Sequence, residues 1–264
     1  MKSNIILLTR TWDSGKIGED RERIKKFIEE ISESKGLDKI IVLVNFEEEK
    51  DYYTQNLLSR LKEEHFQKVE IFYVKPWGAA SGALNIGLAR AFEYNPQKIM
   101  IVSKEVEISK DDVKKMSQEI DSRKKDLLVV GFQLKRGHDL NNPSWALKTP
   151  WNTCAMWNVD LFRKYVRSFD PLCDCPKYLK RLDPKKGPKD LKGMEDALAI
   201  ALAVKENKSL KFKLFSSSPK WTVRDETDHK DKMERKSDVY EVYSDLFDLP
   251  DLTANADLNC RIAQ

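Results

Sequence analysis

The fold is decided by the stretch KIMIVSKEVEI, which occupies residues 98–108. Residues 98–102 form a short, mainly apolar run that is rich in β-branched side chains, and the polar triplet Ser103, Lys104 and Glu105 follows at once. A short apolar run with such an abrupt polar end is typical of a buried strand. We therefore predict a strand over 98–102 and place the triplet at its carboxyl end.

Similar runs recur on both sides of this stretch, and longer segments of helical period separate them. This alternation predicts an α/β fold with a mixed, mainly parallel central sheet flanked by helices. The predicted strands cover residues 5–9, 39–45, 69–74, 98–102, 127–134 and 210–215. The predicted helices cover residues 19–32, 51–64, 80–94, 110–122, 159–167, 195–207 and 232–247.

Length and composition favour a single domain. The chain has 264 residues and is 41% hydrophobic, which is enough for one large α/β core. We expect residues 1–220 to form the main domain and residues 221–264 to form a helical extension packed on it. Residues 173–192 are rich in Pro, Lys and Asp, and we predict a surface loop there.

The charge balance does not call for a nucleic-acid partner. Lys and Arg total 47, Asp and Glu total 43, and the formal net charge is +4. Basic residues cluster in 177–192 and in 230–236. These clusters fit a phosphate-bearing ligand, and they equally fit solvated surface loops.

We expect a protein of the cytoplasm without a membrane span. No apolar run approaches the roughly 18 residues that a span requires, and the first residues lead into a strand rather than into a signal-peptide core. The four cysteines are too few and too scattered for a disulfide framework. Cys173 and Cys175 lack a second pair at zinc-ligand spacing, so we predict free thiols.

The residues that follow the strands point to a binding edge. In open α/β sheets, ligands bind beyond the carboxyl ends of the strands. The segments at these positions are 9–13, Asn45, 75–78 and 103–105, and they are polar and varied. We expect them to lie together along one edge of the sheet.

A glycine-containing helix precedes the deciding stretch. Residues 77–91 read WGAASGALNIGLARA, with small or apolar residues on one helical face. Gly82 and Gly87 each cost a helix about 1 kcal/mol relative to alanine, which indicates close approach to the sheet or to a ligand. The run from Gly82 to Leu88 resembles the segment of family-two GT-A glycosyltransferases that begins the helix beside the donor sugar. The resemblance implies donor-binding roles for Gly82 and Asn85, while tight helix–sheet packing is the structural alternative.

The triplet after the deciding strand occupies the place of that family's Asp-x-Asp motif, but with Ser103 and Glu105 instead of the two aspartates. In the family these carboxylates hold a divalent ion that bridges the donor phosphates. The resemblance implies donor-binding roles for Ser103, Lys104 and Glu105, and a metal-ligand role for Glu105 toward Mn²⁺ or Mg²⁺. Three alternatives stay open: the Lys104 ammonium replaces the metal, the metal is lost, or the triplet is an ordinary strand end.

Two further blocks follow in the family's order. Residues 151–162 read WNTCAMWNVDLF, and Phe169 and Asp170 follow, which resembles the family's short strand, helix and Phe-Asp turn. Glu195 and Asp196 then open a helix, as the family's acidic pair does near the acceptor. The structural alternative is that these carboxylates complement the helix dipole, which contributes about 0.3–1 kcal/mol.

Three aromatic and histidine candidates remain. Trp151 and Trp157 are predicted to stack on an acceptor sugar, with core packing as the alternative for at least one of them. His229 resembles the C-terminal metal or diphosphate ligand of many GT-A enzymes. The alternative for His229 is a solvated histidine in a charged loop.

The resemblance implies an inverting transfer from a UDP- or GDP-sugar to a hydroxyl of a glycan or small-molecule acceptor. Asp196 would be the general base and Glu195 would orient the acceptor. Thr9, Arg10 and Asn45 would lie against the nucleoside.

Two other classes of protein remain as alternatives. A nucleotidyltransferase of similar topology would carry a Gly-rich, basic loop after the first strand, and residues 9–18 do not form one. A non-catalytic module that binds a nucleotide sugar or a glycan is the stronger rival, because Ser103 replaces an aspartate.

Overall fold

The structure is a computed structural model. It describes residues 4–11, 17–34, 36–45, 67–75, 80–135, 137–142, 144–169, 195–216, 219–222, 233, 244, 248–250 and 252–258.

Strands and helices alternate along most of the described chain. The strands are β1 (Ile5–Thr11), β2 (Leu37–Asn45), β3 (Val69–Val74), β4 (Lys98–Val102), β5 (Val106–Glu107), β6 (Leu127–Phe132), β7 (Cys154–Asn158), β8 (Lys211–Phe215), β9 (Lys220–Trp221) and β10 (Ala256–Leu258). The helices are α1 (Ile17–Ser32), α2 (Ala80–Phe92), α3 (Lys110–Ser122), α4 (Val159–Leu161) and α5 (Glu195–Glu206). A π-helical turn, Phe162–Val166, continues α4, and two short 3₁₀ helices cover Trp145–Leu147 and Thr253–Asn255.

Within the described ranges, eight strands form one sheet in the order β10-β8-β6-β7-β4-β1-β2-β3. Only β7 runs against its neighbours β4 and β6, and the other neighbouring pairs are parallel. The short strands β5 and β9 pair with each other outside this sheet. The predicted α/β class with a mixed, mainly parallel sheet is therefore confirmed.

Helices cover both faces of the sheet, and alternate residues of each strand enter one of two cores. In β1, Ile6 and Leu8 join the core beneath α2 and α5. Ile5 and Leu7 join the core beneath α1 and α3. Burying a side chain of this size contributes about 1.5–3 kcal/mol relative to leaving it exposed, so the period-2 pattern of the strands determines which face each helix can cover.

The start of α3 shows how the local sequence fixes the first residue of a helix. Ser109 is the N-cap, and its hydroxyl accepts a hydrogen bond from the backbone N–H of Asp112 at 3.1 Å. The Asp112 carboxylate in turn accepts from the backbone N–H of Ser109 at 3.1 Å. This reciprocal capping box satisfies two N–H groups that the helix itself leaves unpaired.

The antiparallel direction of β7 determines which residues lie at the edge of the sheet where β4 ends. Its first residue, Cys154, pairs with Val102 at the end of β4. Residues that precede β7 therefore lie at the same edge as residues that follow β4.

The observed elements follow most of the sequence predictions, and the main differences are these. β1 extends to Thr11, and the pairing strand β7 was not among the strands predicted from periodicity. The segment 221–264 was predicted as helical, yet it contributes β10, which pairs in parallel with β8. The predicted helix 51–64 lies outside the described residues, as does the helix 232–247 except for Met233 and Ser244.

The two described residues of that last predicted helix contact the main body of the chain. Met233 packs against the cluster of Leu134, Leu147 and Trp151. Ser244 accepts a hydrogen bond from the indole of Trp145 at 2.9 Å. None of the helices in the described ranges is long and apolar enough to cross a bilayer.

The two glycines of α2 provide a test of helix–sheet packing. A Cβ atom at Gly87 would lie 2.7 Å from Cδ1 of the buried Leu43, whereas a Cβ atom at Gly82 would meet nothing within 4 Å. Both substitutions to alanine raise the helix propensity by a similar amount. The difference in stability between the two variants therefore reports the contact with Leu43. We expect Gly87→Ala to be less stable than Gly82→Ala by about 1–3 kcal/mol in urea unfolding. Equal stabilities would show that α2 does not approach β2 this closely.

Candidate functional site

The carboxyl ends of β4, β1, β2 and β3 lie side by side, because these four strands are neighbours and parallel. Thr11, Asn45, Lys75 and Ser103 therefore lie along one edge of the sheet. Residues 12–13 and 76–78, which were predicted for the same edge, fall outside the described residues.

Thr9 and Asn45 were both predicted to contact a nucleoside, but the sheet separates their side chains. Thr9 follows Leu7 on the α1 and α3 face, while Asn45 follows Leu43 on the α2 and α5 face. Among the described residues, neither Thr9 Oγ1 nor Asn45 Oδ1 has a hydrogen-bond partner, although both atoms are buried. Buried polar atoms in native proteins are nearly always paired, so both positions suit a ligand or a bound water.

The triplet after β4 is tied to three other elements. The Ser103 hydroxyl donates to the Glu105 carboxylate, and the Ser103 N–H donates to the Thr153 carbonyl at 2.9 Å. The Glu105 carbonyl accepts from the Thr222 N–H at 3.0 Å. Lys104 is 4% exposed, and its ammonium donates to the Thr11 hydroxyl at 3.1 Å. The triplet is thus held to the end of β1, the start of β7 and the residue after β9.

A small cavity of about 70 Å³ borders this triplet. Lys104 and Glu105 line it together with Arg23 and Lys26 of α1. It is smaller than the roughly 300–1,000 Å³ of typical ligand pockets, so it is too small to hold a nucleotide sugar by itself. The sequence analysis missed Arg23 and Lys26, because basic residues on an amphipathic helix are usually solvated and the sequence does not show which of them face the edge.

Glu195 and Asp196, at the start of α5, are both buried. Asp196 is 4% exposed, and its Oδ2 accepts from the backbone N–H of Asn152 at 2.8 Å. Its Oδ1 accepts from the backbone N–H of Ala197 at 2.7 Å. The second bond fits the predicted helix-start alternative, whereas the first connects α5 to the edge where β7 begins.

Asn152 is a site residue to which the sequence analysis gave no role. Its side-chain oxygen accepts from the indole N–H of Trp157 at 3.0 Å, which fixes the orientation of the amide. Its Nδ2 is buried and has no hydrogen-bond partner among the described residues. Asn152 precedes a strand, and because β7 is antiparallel to β4, the residues before β7 lie at the same edge as the residues after β4.

A short chain of contacts connects the acidic pair of α5 with Glu105. Asp196 binds the N–H of Asn152, the next residue Thr153 accepts from Ser103, and Ser103 donates to Glu105. The predicted catalytic and donor-side carboxylates therefore lie at one edge although they are distant in sequence.

Arg10 interacts electrostatically with these carboxylates. It is half-buried, and it follows Leu8 on the α2 and α5 face of β1. Burial lowers the pKa of the Arg10 guanidinium, and the negative charges of Glu195, Asp196 and Glu105 partly offset that change. The predicted nucleoside contact of Arg10 remains a prediction, and the structure adds its electrostatic interaction with the three carboxylates.

Asn85 and Gly82 lie on α2, and their predicted donor-binding roles remain predictions. The Asn85 amide donates to the Phe169 carbonyl at 2.8 Å and accepts from the Phe169 N–H at 2.8 Å. This pair of bonds clamps α2 to the end of the segment that follows α4. Gly82 is exposed, so a ligand has room beside it.

The structure corrects the predicted acceptor-binding roles of Trp151 and Trp157. Trp157 is 1% exposed, and its ring makes edge contacts with Phe162 and Phe169 at centroid distances of 5.3 and 5.5 Å. Trp151 is 2% exposed and stacks on His138 at 4.1 Å. Neither ring presents a free face to a sugar, because both are covered by other side chains. The core-packing alternative therefore holds for both tryptophans.

The described residues do not form a metal site by themselves. No group of three or more His, Cys, Asp or Glu side chains in the described ranges is placed to hold a metal ion. The Glu105 carboxylate accepts from Ser103 and interacts with the charge of Arg10. His229, the second predicted metal ligand, lies outside the described residues.

No protein-family model matches the chain, and no curated protein matches its sequence. The solved structures do provide matches. A mannosyltransferase from Pyrobaculum calidifontis, PcManGT in complex with GDP-Man and Mn²⁺, has a TM-score of 0.50 at 12% identity over 64% of this chain and 48% of its own. TarS from S. aureus, residues 1–349, has a TM-score of 0.51 at 13% identity over 82% of this chain and 59% of its own.

The complex of the same TarS fragment with UDP has a TM-score of 0.52 at 11% identity, over 88% of this chain and 64% of its own. The chain thus spans about half to two thirds of the length of these proteins. The fold is that of the GT-A glycosyltransferases, which confirms the predicted resemblance. At such low identity the likeness establishes the fold alone.

The two hydrogen bonds of Asp196 predict a stability cost for Asp196→Asn. An asparagine has one acceptor oxygen and one NH₂ group, so one of the two backbone N–H groups of Asn152 and Ala197 would lose its partner. We expect a loss of about 1–3 kcal/mol in urea unfolding. Glu206→Gln, at the exposed other end of α5, is the matched control and should change stability by less than about 0.5 kcal/mol. Equal stabilities for the two variants would contradict the bonding of Asp196.

Proposed function

We propose that this chain transfers a sugar from a nucleotide-diphosphate donor to an acceptor hydroxyl with inversion at the anomeric carbon. One observation supports this most strongly: Glu105, Glu195 and Asp196, from separate parts of the sequence, share one sheet edge and interact with Arg10. A transferase needs such closeness, because the base must reach an acceptor hydroxyl that approaches the anomeric carbon beside the diphosphate.

In the proposed reaction, Asp196 is the general base. The acceptor oxygen forms a bond to the anomeric carbon, the bond from that carbon to the diphosphate oxygen breaks, and its electron pair leaves with the nucleoside diphosphate. The hydroxyl proton passes to the Asp196 carboxylate. The two backbone N–H groups that bind this carboxylate hold it in place, and each oxygen keeps a second lone pair. Glu195, its neighbour on α5, would orient the acceptor hydroxyls.

Fixed positive charge near the triplet would stabilise the leaving diphosphate. The Lys104 ammonium is the charge proposed for this role, since preorganised charges act where negative charge develops, whereas Glu30, Glu105 and Glu107 offset Arg23 and Lys26 in the small cavity beside it. The donor is proposed to be a UDP- or GDP-sugar, and the structural neighbours in complex with UDP and with GDP-Man support testing both. Among the described residues Glu105 is the predicted metal ligand, and a Mn²⁺ or Mg²⁺ ion held there would offset charge on the leaving diphosphate.

A non-catalytic module that binds a nucleotide sugar or a glycan is the second candidate. It is favoured by Ser103, which replaces the first carboxylate of the family's motif, and by the commitment of Asp196 to two backbone bonds. The two candidates differ in turnover, since a binding module does not release a nucleoside diphosphate from its ligand.

We expect nucleotide binding to depend only weakly on divalent metal, because the buried Lys104 ammonium supplies positive charge at the triplet, where Ser103 replaces an aspartate. Calorimetric titration with UDP and with GDP should give dissociation constants that differ by less than about tenfold between Mn²⁺ and EDTA, which corresponds to 1.4 kcal/mol. Glu105→Gln is the matched variant, and it should respond to EDTA as the unaltered chain does. A loss of about a hundredfold or more in EDTA, near 2.7 kcal/mol, would indicate a full metal site that includes residues beyond those described.

The base assignment predicts that Asp196→Asn lowers the rate of nucleoside-diphosphate release from the donor in the presence of acceptor by about 10²–10⁴-fold. The assay compares UDP- and GDP-sugars at a temperature where circular dichroism shows that the variant is folded, which separates catalysis from the expected stability cost. Glu206→Gln, on the same helix, should keep full activity. Unchanged transfer by a folded Asp196→Asn variant would refute the base assignment. If the unaltered chain binds a nucleotide sugar without turnover, the binding-module candidate replaces the transferase.

A further inference from the structure

The segment after α4 bridges two helices of the candidate site. This bridging segment covers residues 162–169 and begins with the π-helical turn. Toward α2, the ring of Phe162 contacts Phe92 at a centroid distance of 6.2 Å. Toward α5, the Tyr165 hydroxyl accepts a hydrogen bond from the Asn207 amide at 3.0 Å. The segment therefore connects α2, with its predicted donor-binding residues, to α5, with the acidic pair.

The backbone of the bridging segment is strained at Arg167. This residue has φ 67° and ψ −50°, in the left-handed half of the φ/ψ plot that residues with a Cβ atom rarely adopt. The N–H of Ser168 donates to the carbonyl of Val166 at 2.8 Å, which closes a γ-turn with Arg167 at its centre. A γ-turn with positive φ is rare because its central residue is strained, and glycine adopts it at the least cost.

A clamp on Phe169 holds the chain two residues beyond this turn. The Asn85 amide donates to the Phe169 carbonyl at 2.8 Å and accepts from the Phe169 N–H at 2.8 Å. The Phe169 side chain is buried, and its ring makes edge contacts with Phe162 and Trp157 at 5.5 Å. A strained residue persists where its surroundings hold the chain on both sides. The π-helical turn holds Arg167 on one side, and the clamp holds it on the other.

The buried ring of Phe169 is connected to the proposed base. Trp157, which contacts this ring, donates its indole N–H to the Asn152 side chain at 3.0 Å. The backbone N–H of Asn152 donates to Asp196 at 2.8 Å. A displacement of Phe169 therefore weakens the support of Asn152, and with it one of the two bonds that hold Asp196.

We propose that Asn85 is a positioning residue that latches the bridging segment against α2 and keeps Arg167 in its strained conformation. Opening this latch lets Arg167 relax to a negative φ and lets Phe169 leave the core. Asn85 acts through Phe169, so the role requires no contact with a ligand. It concerns the chain without substrate, and it can therefore be supported or overturned whatever the transfer and binding assays show.

The test is a double-mutant cycle of thermal unfolding midpoints. Arg167→Gly and Arg167→Ala both remove the side chain, but only glycine adopts the positive φ without strain. We expect Arg167→Gly to unfold about 2–6 °C above Arg167→Ala. In the Asn85→Ala background the turn has relaxed, so the same difference should fall to less than about half. Asn207→Ala is the matched control, because it removes another bond of the bridging segment and should leave the difference unchanged.

Hydrogen exchange tests the latch separately from overall stability. In Asn85→Ala the N–H of Phe169 loses its acceptor, and its exchange should become at least about tenfold faster. The N–H of Asn152, which binds Asp196, should also exchange faster. The N–H of Ile40, which donates to the Lys68 carbonyl at 2.8 Å in a distant part of the sheet, should keep its rate.

Three outcomes would overturn the proposal. In the first, Arg167→Gly is no more stable than Arg167→Ala. In the second, the difference between them is as large with Asn85→Ala as without it. In the third, exchange at Ile40 accelerates as much as at Phe169, which would indicate a general loss of stability.

A second variant covers the case in which Asn85→Ala does not fold. Asn85→Asp keeps an acceptor for the Phe169 N–H and loses only the donor to the Phe169 carbonyl. It then takes the place of Asn85→Ala, and the difference between Arg167→Gly and Arg167→Ala should again be smaller than in the unaltered chain. An unfolded Asn85→Asp variant would also contradict the proposal, because Asn85 would then hold the fold rather than the turn.

Discussion

The antiparallel pairing of β7 with β4 is the constraint on which the candidate site depends. It brings Cys154 opposite Val102, so the chain that enters β7 lies where β4 ends. The N–H of Asn152 can then bind Asp196, and the carbonyl of Thr153 can bind Ser103. In a fully parallel sheet the start of β7 would lie at the opposite edge, and α5 would have no such attachment near the donor-side triplet.

Basic side chains lie on both faces of the sheet near the start of β7. Lys104 extends toward β1 and binds the Thr11 hydroxyl, while Arg10 interacts with the carboxylates on the opposite face. A buried charge needs an opposite charge or hydrogen bonds, since desolvation alone costs several kcal/mol. The fold therefore carries positive charge on both faces of the sheet at this edge.

Aromatic side chains in the core pack beneath the candidate site. Trp157, Phe162 and Phe169 form edge contacts in the core, and Phe169 is clamped by the Asn85 amide. The indole of Trp157 fixes the Asn152 side chain from the same core. These contacts stabilise the position of Asn152 at the edge, which gives Trp157 a structural part in the candidate site.

The sequence by itself determined the alternation of strands and helices, the strands Val69–Val74 and Lys98–Val102, and the helix Lys110–Ser122, because local periodicity and capping depend on neighbouring residues. The sequence also predicted that the residues after the parallel strands lie along one edge of the sheet. Only the tertiary structure decided that β7 runs antiparallel, that the charge of Arg10 interacts with Glu105, Glu195 and Asp196, and that Trp151 and Trp157 are buried. These outcomes depend on contacts between residues far apart in the chain, and no local pattern encodes which distant partner a side chain will meet.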